Sequence, residues 1–140
     1  MDKILLDSDV ILDFFLDRKP FSEDAAIILT RCELKEIQGY VTPVIISNTY
    51  YLLKKNSTHE KVIENLKGLI AIVDVLMMDK EIIVNALNSL FTDFEDALQN
   101  FSAVKSLTID FIITRNPKDY KFSTLPVFTP ETYLKKRLLG

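Results

Sequence analysis

Six acidic or amide side chains could carry chemistry because each follows an apolar strand pattern or lies in the first turn of a predicted helix: Asp7, Asp9, Asp93, Asp96, Asn116 and Asp119. Carboxylates that are brought together repel one another unless a cation or a proton lies between them. Oxygen ligands without nearby cysteine or histidine select Mg²⁺ or Mn²⁺ rather than zinc. The chemistry that these residues indicate is metal-assisted hydrolysis of a phosphodiester.

Each acid also has a purely structural interpretation, which stays open at this point. Asp9 suits a local cap or turn, and the dipole of a helix favours an acid such as Asp93 in its first turn. Asp7 is harder to explain in this way because it directly ends a buried apolar run. Asp7-Ser8-Asp9 also resembles the nucleophile loop of haloacid-dehalogenase-type phosphatases. The Gly-Asp loop that those enzymes need is missing from the sequence, which argues against that class.

Hydrophobic periodicity predicts strands alternating with helices along the whole chain. The strands are expected at 3–6, 40–42, 72–76, 109–114 and 127–128, and the main helices at 10–16, 22–37, 43–55, 58–70, 80–90 and 93–107, with a last helix opened by Thr129 and Pro130. Gly39 is expected to end the second helix. The expected helix starts are Thr42 as a cap with Pro43 at the first helical position, Asp79 as a cap, and the capping-box pairs Ser57/Glu60 and Thr92/Glu95.

Alternating strands and helices favour an α/β fold with a parallel, doubly wound sheet covered on both faces. In such sheets, ligands bind outside the carboxyl ends of the strands, where the strand order reverses. Asp7 follows the first strand and Asn116 follows the fourth, while Asp96 begins the helix between the third and fourth strands. We therefore expect the six polar side chains to share one edge of the sheet.

Composition narrows the class of protein. The chain of 140 residues, 48% hydrophobic and 26% charged, has the make-up of one globular domain over residues 1–140. Cys32 is the single cysteine and His59 the single histidine, so a disulfide scaffold and a mechanism with two imidazoles are excluded within one chain. A net charge of −3 argues against a dedicated nucleic-acid binder. With neither a membrane span nor a signal peptide evident, we expect a cytoplasmic protein.

Three segments together resemble a known family. LLDSDVILDFF, DFEDALQ and ITRNPKDY, in this order and spacing, are similar to motifs of the PIN domain family, which includes VapC-type toxins and other metal-dependent ribonucleases. The resemblance covers nearly the whole chain. It implies a three-layer α/β/α fold with a parallel sheet of four or five strands in the order 3-2-1-4-5. It also implies an Mg²⁺ or Mn²⁺ pocket, RNA as substrate, a small antitoxin protein as partner and a homodimer.

By position, the resemblance makes Asp7, Asp96 and Asp119 the catalytic acids. With Asp93 and Asn116 they would form the metal site, and the expected substrate-binding residues are Ser8, Asn48, Arg115 and Lys118. The sequence departs from the family pattern at Asn48, where the family has a second acid, a glutamate. Glu95 or Asp93 could supply the missing charge, and the spacing i, i+3 from Asp96 favours Asp93. The alternative function is an inactive PIN fold that serves as a binding or assembly module.

Overall fold

The computed structural model describes residues 1–139, in which strands and helices alternate as the sequence predicts. The strands are β1 (Asp2–Leu6), β2 (Ile37–Val41), β3 (Val73–Val75), β4 (Phe111–Ile113) and β5 (Val127–Phe128). The helices are α1 (Ser8–Phe15), α2 (Ser22–Glu33), α3 (Pro43–Lys54), α4 (His59–Ile72), α5 (Lys80–Leu87), α6 (Phe94–Ser106) and α7 (Pro130–Leu139), with a short 3₁₀ helix at Pro117–Tyr120.

The five strands form one parallel sheet in the order β3-β2-β1-β4-β5, with helices on both faces. The predicted α/β/α fold and strand order are confirmed. The order reverses between β1 and β4, whose last residues Leu6 and Ile113 are direct partners in the register. The backbone N–H of Asp7 donates to the carbonyl of Ile113 over 3.0 Å. The chain therefore leaves both central strands at the same level, beside each other.

The central strands are buried because they carry continuous apolar runs. Ile4, Leu5 and Leu6 of β1, and Ile112 and Ile113 of β4, are completely shielded from solvent. This pattern is typical of parallel strands that are covered on both faces. A rigid, fully packed pair of strands thus supports the polar residues that follow it.

Two helix starts agree with the sequence. The Thr42 hydroxyl accepts the N–H of Ile45, with Pro43 in the first turn, and the Asp79 carboxylate accepts the N–H of Ile82. In both cases the capping oxygen satisfies an N–H that has no partner inside its helix.

Two other caps differ from the prediction by one residue. Thr58 rather than Ser57 caps α4, since its hydroxyl accepts the N–H of Lys61. Asp93 rather than Thr92 caps α6, since its carboxylate accepts the N–H of Asp96 over 3.0 Å. Both segments offer two adjacent residues that can cap, and the sequence alone does not rank them. None of the helices in residues 1–139 is long and apolar enough to cross a membrane.

The predicted role of Gly39 is wrong. Helix α2 ends at Glu33, and Gly39 lies inside β2 instead of stopping the helix. A side-chain carbon at position 39 would lie 2.8 Å from the Cys32 sulfur and 3.1 Å from Cγ1 of Val73. The glycine is therefore explained by the close approach of α2 and β3 to the middle of β2.

Candidate active site

Asp7 is the best supported of the acids, because four donors hold its buried carboxylate. Its Oδ1 accepts the backbone N–H of Ser8 (2.7 Å) and Nε2 of Gln99 (3.1 Å). Its Oδ2 accepts the hydroxyls of Thr114 (3.0 Å) and Tyr120 (3.1 Å). Burial raises the pKa of Asp7, while these four donors favour the charged form. The result is a carboxylate fixed at the end of β1.

Asp9 lies beside Asp7 and joins the site. Its Oδ2 accepts the backbone N–H of Arg115 (3.1 Å) and lies 3.4 Å from Nδ2 of Asn116 and 3.3 Å from the Thr114 hydroxyl. Its Oδ1 is buried and has no hydrogen-bond partner among the described residues. Burial and the charge of Asp7 raise the pKa of Asp9 to about 6. Asp9 is thus a candidate ligand with a free oxygen. Asp7, not Asp9, caps α1.

Asp96 meets Asp7 from the first turn of α6. The Tyr120 hydroxyl lies 3.4 Å from its Oδ1 and 3.1 Å from Oδ2 of Asp7, so one phenol links the two acids. Burial, and then the charges of Asp7, Asp93 and Asp119, raise the pKa of Asp96 to about 7. Asp93 and Asp119 are themselves exposed. The charges of Asp7, Asp93 and Asp119 therefore converge on Asp96 at a single edge of the sheet.

Comparison with known families identifies the family to which the chain belongs. A family model described as PIN domain matches residues 3–118. The chain belongs to the PIN domain family. A comparison with curated protein sequences gave no match.

Solved structures show the same fold at low sequence identity. A chain in the structure of FitAB bound to an IR36 DNA fragment is 18% identical with a TM-score of 0.67, over 91% of this chain and 94% of that one. A chain of a toxin-antitoxin complex from Klebsiella pneumoniae is 20% identical, with a TM-score of 0.67 and coverage of 91% and 97%. A chain of VapBC2 from Rickettsia felis, in a complex with a DNA fragment from the VapBC2 promoter, is 11% identical with a TM-score of 0.64. The match covers 91% of this chain and 98% of that one.

The ligands available in this PIN domain fit a hard divalent cation. Among residues 1–139, no group of three or more acidic, imidazole or thiol side chains is arranged to hold a metal ion by itself. The hydroxyls of Thr114 and Tyr120 each contact two of the carboxylates. The donor set nevertheless consists of oxygens alone, and Oδ1 of Asp9 is buried without a partner. The like charges that raise the pKa of Asp96 are the kind that a cation offsets. These donors suit Mg²⁺ or Mn²⁺.

Of the predicted substrate-binding residues, Ser8 contacts Asp7, and Asn48 contacts Glu95, the neighbour of Asp96 in the chain. The backbone N–H of Ser8 is used by Asp7, which leaves the Ser8 hydroxyl for other partners. Asn48 of α3 donates from its amide to the carboxylate of Glu95. The sequence favoured Asp93 as the acid that compensates for Asn48, but Asp93 caps α6 and Glu95 is the acid in contact with Asn48.

Arg115 has a structural task that the sequence did not indicate. Its Nε lies 2.9 Å from Oδ2 of Asp13, and its guanidinium stacks 4.2 Å from the ring centre of Phe21. Asp13 is 1% exposed and has Arg18 as a second partner at 3.7 Å. The arginine thereby fixes the turn whose backbone contacts Asp9. Lys118, in contrast, is exposed on the 3₁₀ helix.

Four supporting side chains were not predicted from the sequence: Gln99, Tyr120, Asp13 and Thr114, whose hydroxyl contacts both Asp7 and Asp9. Gln99 and Asp13 carry a usable signal, because each is a polar residue in the apolar stripe of an amphipathic helix. Tyr120 gives none, since a tyrosine after a turn is an ordinary core residue. Burial and the charges of Asp7 and Asp96 raise the pKa of the Tyr120 phenol well above its usual range, so it remains a neutral donor.

Proposed function

We propose that this PIN domain is an Mg²⁺- or Mn²⁺-dependent endoribonuclease that hydrolyses RNA phosphodiester bonds. The observation that carries the proposal is the contact of Asp7 and Asp96 through Tyr120 at the point where the strand order reverses. Ligands of open α/β sheets bind at this point. The family assignment favours a nuclease, and carboxylates are the titratable groups gathered at this edge of the sheet.

Each acid is given a role by its environment. Asp7, Asp96 and Asp119 would be the catalytic acids, and with Asp93 and Asn116 they would hold the ion, to which the structure adds Asp9. A bound Mg²⁺ or Mn²⁺ supplies charge neutralisation at the phosphate and lowers the pKa of a water molecule. Asp7 is buried and held by four hydrogen bonds, which makes it suited to anchor the ion. Asp96 is half-buried, and burial and the charges of Asp7, Asp93 and Asp119 raise its pKa to about 7 without the ion, so a bound cation would stabilise its charged form.

Substrate contacts would come from the rim of the acidic site. Lys118 is exposed next to Asp119 and can approach a phosphate as a point charge. The Ser8 hydroxyl and the Asn48 amide can donate to the RNA backbone. Arg115 contributes from the edge of the site, where its contacts with Asp13 and Phe21 restrict it to one orientation.

The same proposal extends to partners. A toxin of a toxin-antitoxin pair, acting as a single domain in the cytoplasm, fits the structural likeness to the Klebsiella pneumoniae toxin-antitoxin complex. A small antitoxin would then restrain the activity. A homodimer is supported by α5, whose Ile83, Val84 and Leu87 expose 40%, 43% and 66% of their surface on one side of the helix.

Cleavage of RNA by purified protein tests the proposal. We expect a mixed-sequence, end-labelled RNA to be cut in the presence of Mn²⁺ and to stay intact in EDTA. Asp7→Asn should abolish cleavage, whereas Glu64→Gln, an exposed acid on α4, should retain it. Cleavage that persists in EDTA or in Asp7→Asn would contradict the mechanism.

An inactive PIN domain that serves as a binding module is the second candidate. The observation that favours it is the neutral Asn48, whose amide is occupied by Glu95. This candidate predicts that RNA stays intact with either metal ion while a protein partner co-purifies with the chain. Asn48→Glu would then be the variant in which cleavage first emerges.

A further inference from the structure

The Tyr120 hydroxyl is the point at which three elements of the site meet. Its oxygen lies 3.1 Å from Oδ2 of Asp7 after β1, and 3.4 Å from Oδ1 of Asp96 and 3.5 Å from Nε2 of Gln99, both on α6. The Tyr120 ring is 2% exposed and packs edge-on against Phe91 at 6.0 Å between centroids. Because the ring is held in the core, the hydroxyl oxygen has a fixed position.

Hydrogen-bond counting shows what this hydroxyl can do. A neutral phenol has one hydrogen to donate, so it serves one carboxylate at a time and can accept from a second donor. Gln99 is such a donor: its Nε2 is shared between the Tyr120 oxygen and Oδ1 of Asp7. Gln99 is 1% exposed, and its Oε1 has no partner among the described residues. The hydrogen bonds to Tyr120 and Asp7 therefore account for the buried amide nitrogen of Gln99.

We propose that Tyr120 is a positioning residue whose hydroxyl, oriented by Gln99, sets the separation of Asp7 and Asp96 for a divalent cation. The inference rests on the proposed function, which supplies the cation. Each carboxylate comes from a different element, and no direct hydrogen bond between them is possible when both are ionised. A neutral hydroxyl between them limits the repulsion and keeps both oxygens facing one point. Supporting groups of this kind typically change metal affinity by about 10–100-fold.

The first test compares two tyrosines that share the same local chemistry. Tyr120→Phe removes one oxygen and keeps the packing of the ring. Tyr133→Phe is the matched control, because Tyr133 is also buried and its hydroxyl donates to Asp2 at the amino end of β1, opposite Asp7. We expect Tyr120→Phe to weaken Mn²⁺ binding in calorimetry by about tenfold or more. Tyr133→Phe should leave the Mn²⁺ affinity unchanged. Equal affinities for wild type and Tyr120→Phe would overturn the inference.

A second test needs no metal. In EDTA, the unfolding equilibrium constants of wild type, Tyr120→Phe, Asp96→Ala and the double variant form a cycle that isolates their interaction. We expect Tyr120→Phe and Asp96→Ala to be coupled by a factor of about three or more in the unfolding constant. The same cycle built with Tyr133→Phe in place of Tyr120→Phe should show no coupling. Absence of coupling would overturn the role of Tyr120 even if Mn²⁺ binds. Coupling without any Mn²⁺ binding by the wild type would contradict the proposed function. It would also contradict the claim that Tyr120 positions the two acids for a cation.

Discussion

Replacing Asp96 by asparagine should stabilise the metal-free protein at alkaline pH, although it removes a predicted catalytic acid. Burial and the charges of Asp7, Asp93 and Asp119 raise the pKa of Asp96 from 3.8 to about 7. A carboxyl with a raised pKa in the folded state is ionised more readily in the unfolded chain. Its charge therefore costs no stability well below pH 3.8, costs progressively more between pH 4 and pH 7, and costs the full amount above pH 7.

The size of the expected gain in the free energy of unfolding follows from the raised pKa of Asp96. A displacement from 3.8 to about 7 corresponds to roughly 4 kcal/mol at about 1.4 kcal/mol per pH unit. Asp96 is half-exposed, and solvent screening reduces this figure to about 2 kcal/mol. The first turn of α6 favours an ionised acid by about 0.5 kcal/mol, which asparagine loses. We expect a net gain of about 1–2 kcal/mol at pH 8 and little change at pH 4.

Urea unfolding in EDTA measures this gain directly. Wild type, Asp96→Asn and the surface control Glu64→Gln are compared at pH 4 and pH 8, with the free energy of unfolding taken from the linear dependence on urea. The control should differ from wild type by less than about 0.5 kcal/mol at both values. A gain for Asp96→Asn that is equal at pH 4 and pH 8, or a loss at pH 8, would refute the view that burial and the neighbouring acids raise the pKa of Asp96.

Two further predictions concern packing and the ion pair that supports the site. Gly39→Ala should lower the free energy of unfolding by about 1–3 kcal/mol, since its new methyl would lie 2.8 Å from the Cys32 sulfur. Gly68→Ala should raise the free energy of unfolding by about 0.5–1 kcal/mol, because beyond its own helix backbone and chain neighbours nothing lies within 4 Å of the new carbon. Urea unfolding measures both variants, and equal shifts would contradict the packing argument. Arg115→Ala should destabilise the protein by about 3 kcal/mol at pH 7 because it leaves Asp13 buried with only a distant arginine, and Asp13→Asn combined with it should recover part of that loss. No recovery in the double variant would show that the loss does not come from the unpaired charge.

The strands and helices of the fold could be predicted from the sequence because their signals are local. Buried strands such as Ile4–Leu6 appear as continuous apolar runs, and the intervening helices carry caps such as Thr42 and Asp79. Once strands and helices alternate, a parallel doubly wound sheet is the expected solution. The order 3-2-1-4-5 came from the motif resemblance, and the register between β1 and β4 agrees with it.

The parts that escaped prediction depend on contacts between distant segments. Gly39 has the signature of a helix stop, but its true constraint is the sulfur of Cys32 and the side chain of Val73. Arg115 appears in the sequence as a free cation, yet it is paired with Asp13 about a hundred positions earlier. Gln99 reaches Asp7 over a similar distance along the chain. The apolar stripes around Gln99 and Asp13 mark these polar residues as unusual, but no periodic pattern encodes their partners, so only the structure could reveal which groups they contact.

Calorimetric titration of Mn²⁺ into the metal-free protein tests the central claim, that the acids at this edge of the sheet form a divalent-cation site. Wild type, Asp7→Asn and Glu64→Gln are titrated at pH 7.5, and the folded state of each is checked by circular dichroism. We predict saturable binding by wild type and by Glu64→Gln, and its loss in a folded Asp7→Asn, because an amide cannot replace the charge of the anchoring carboxylate. Binding of equal strength by Asp7→Asn, or none by any of the three proteins at about 10 mM Mn²⁺, would contradict the claim.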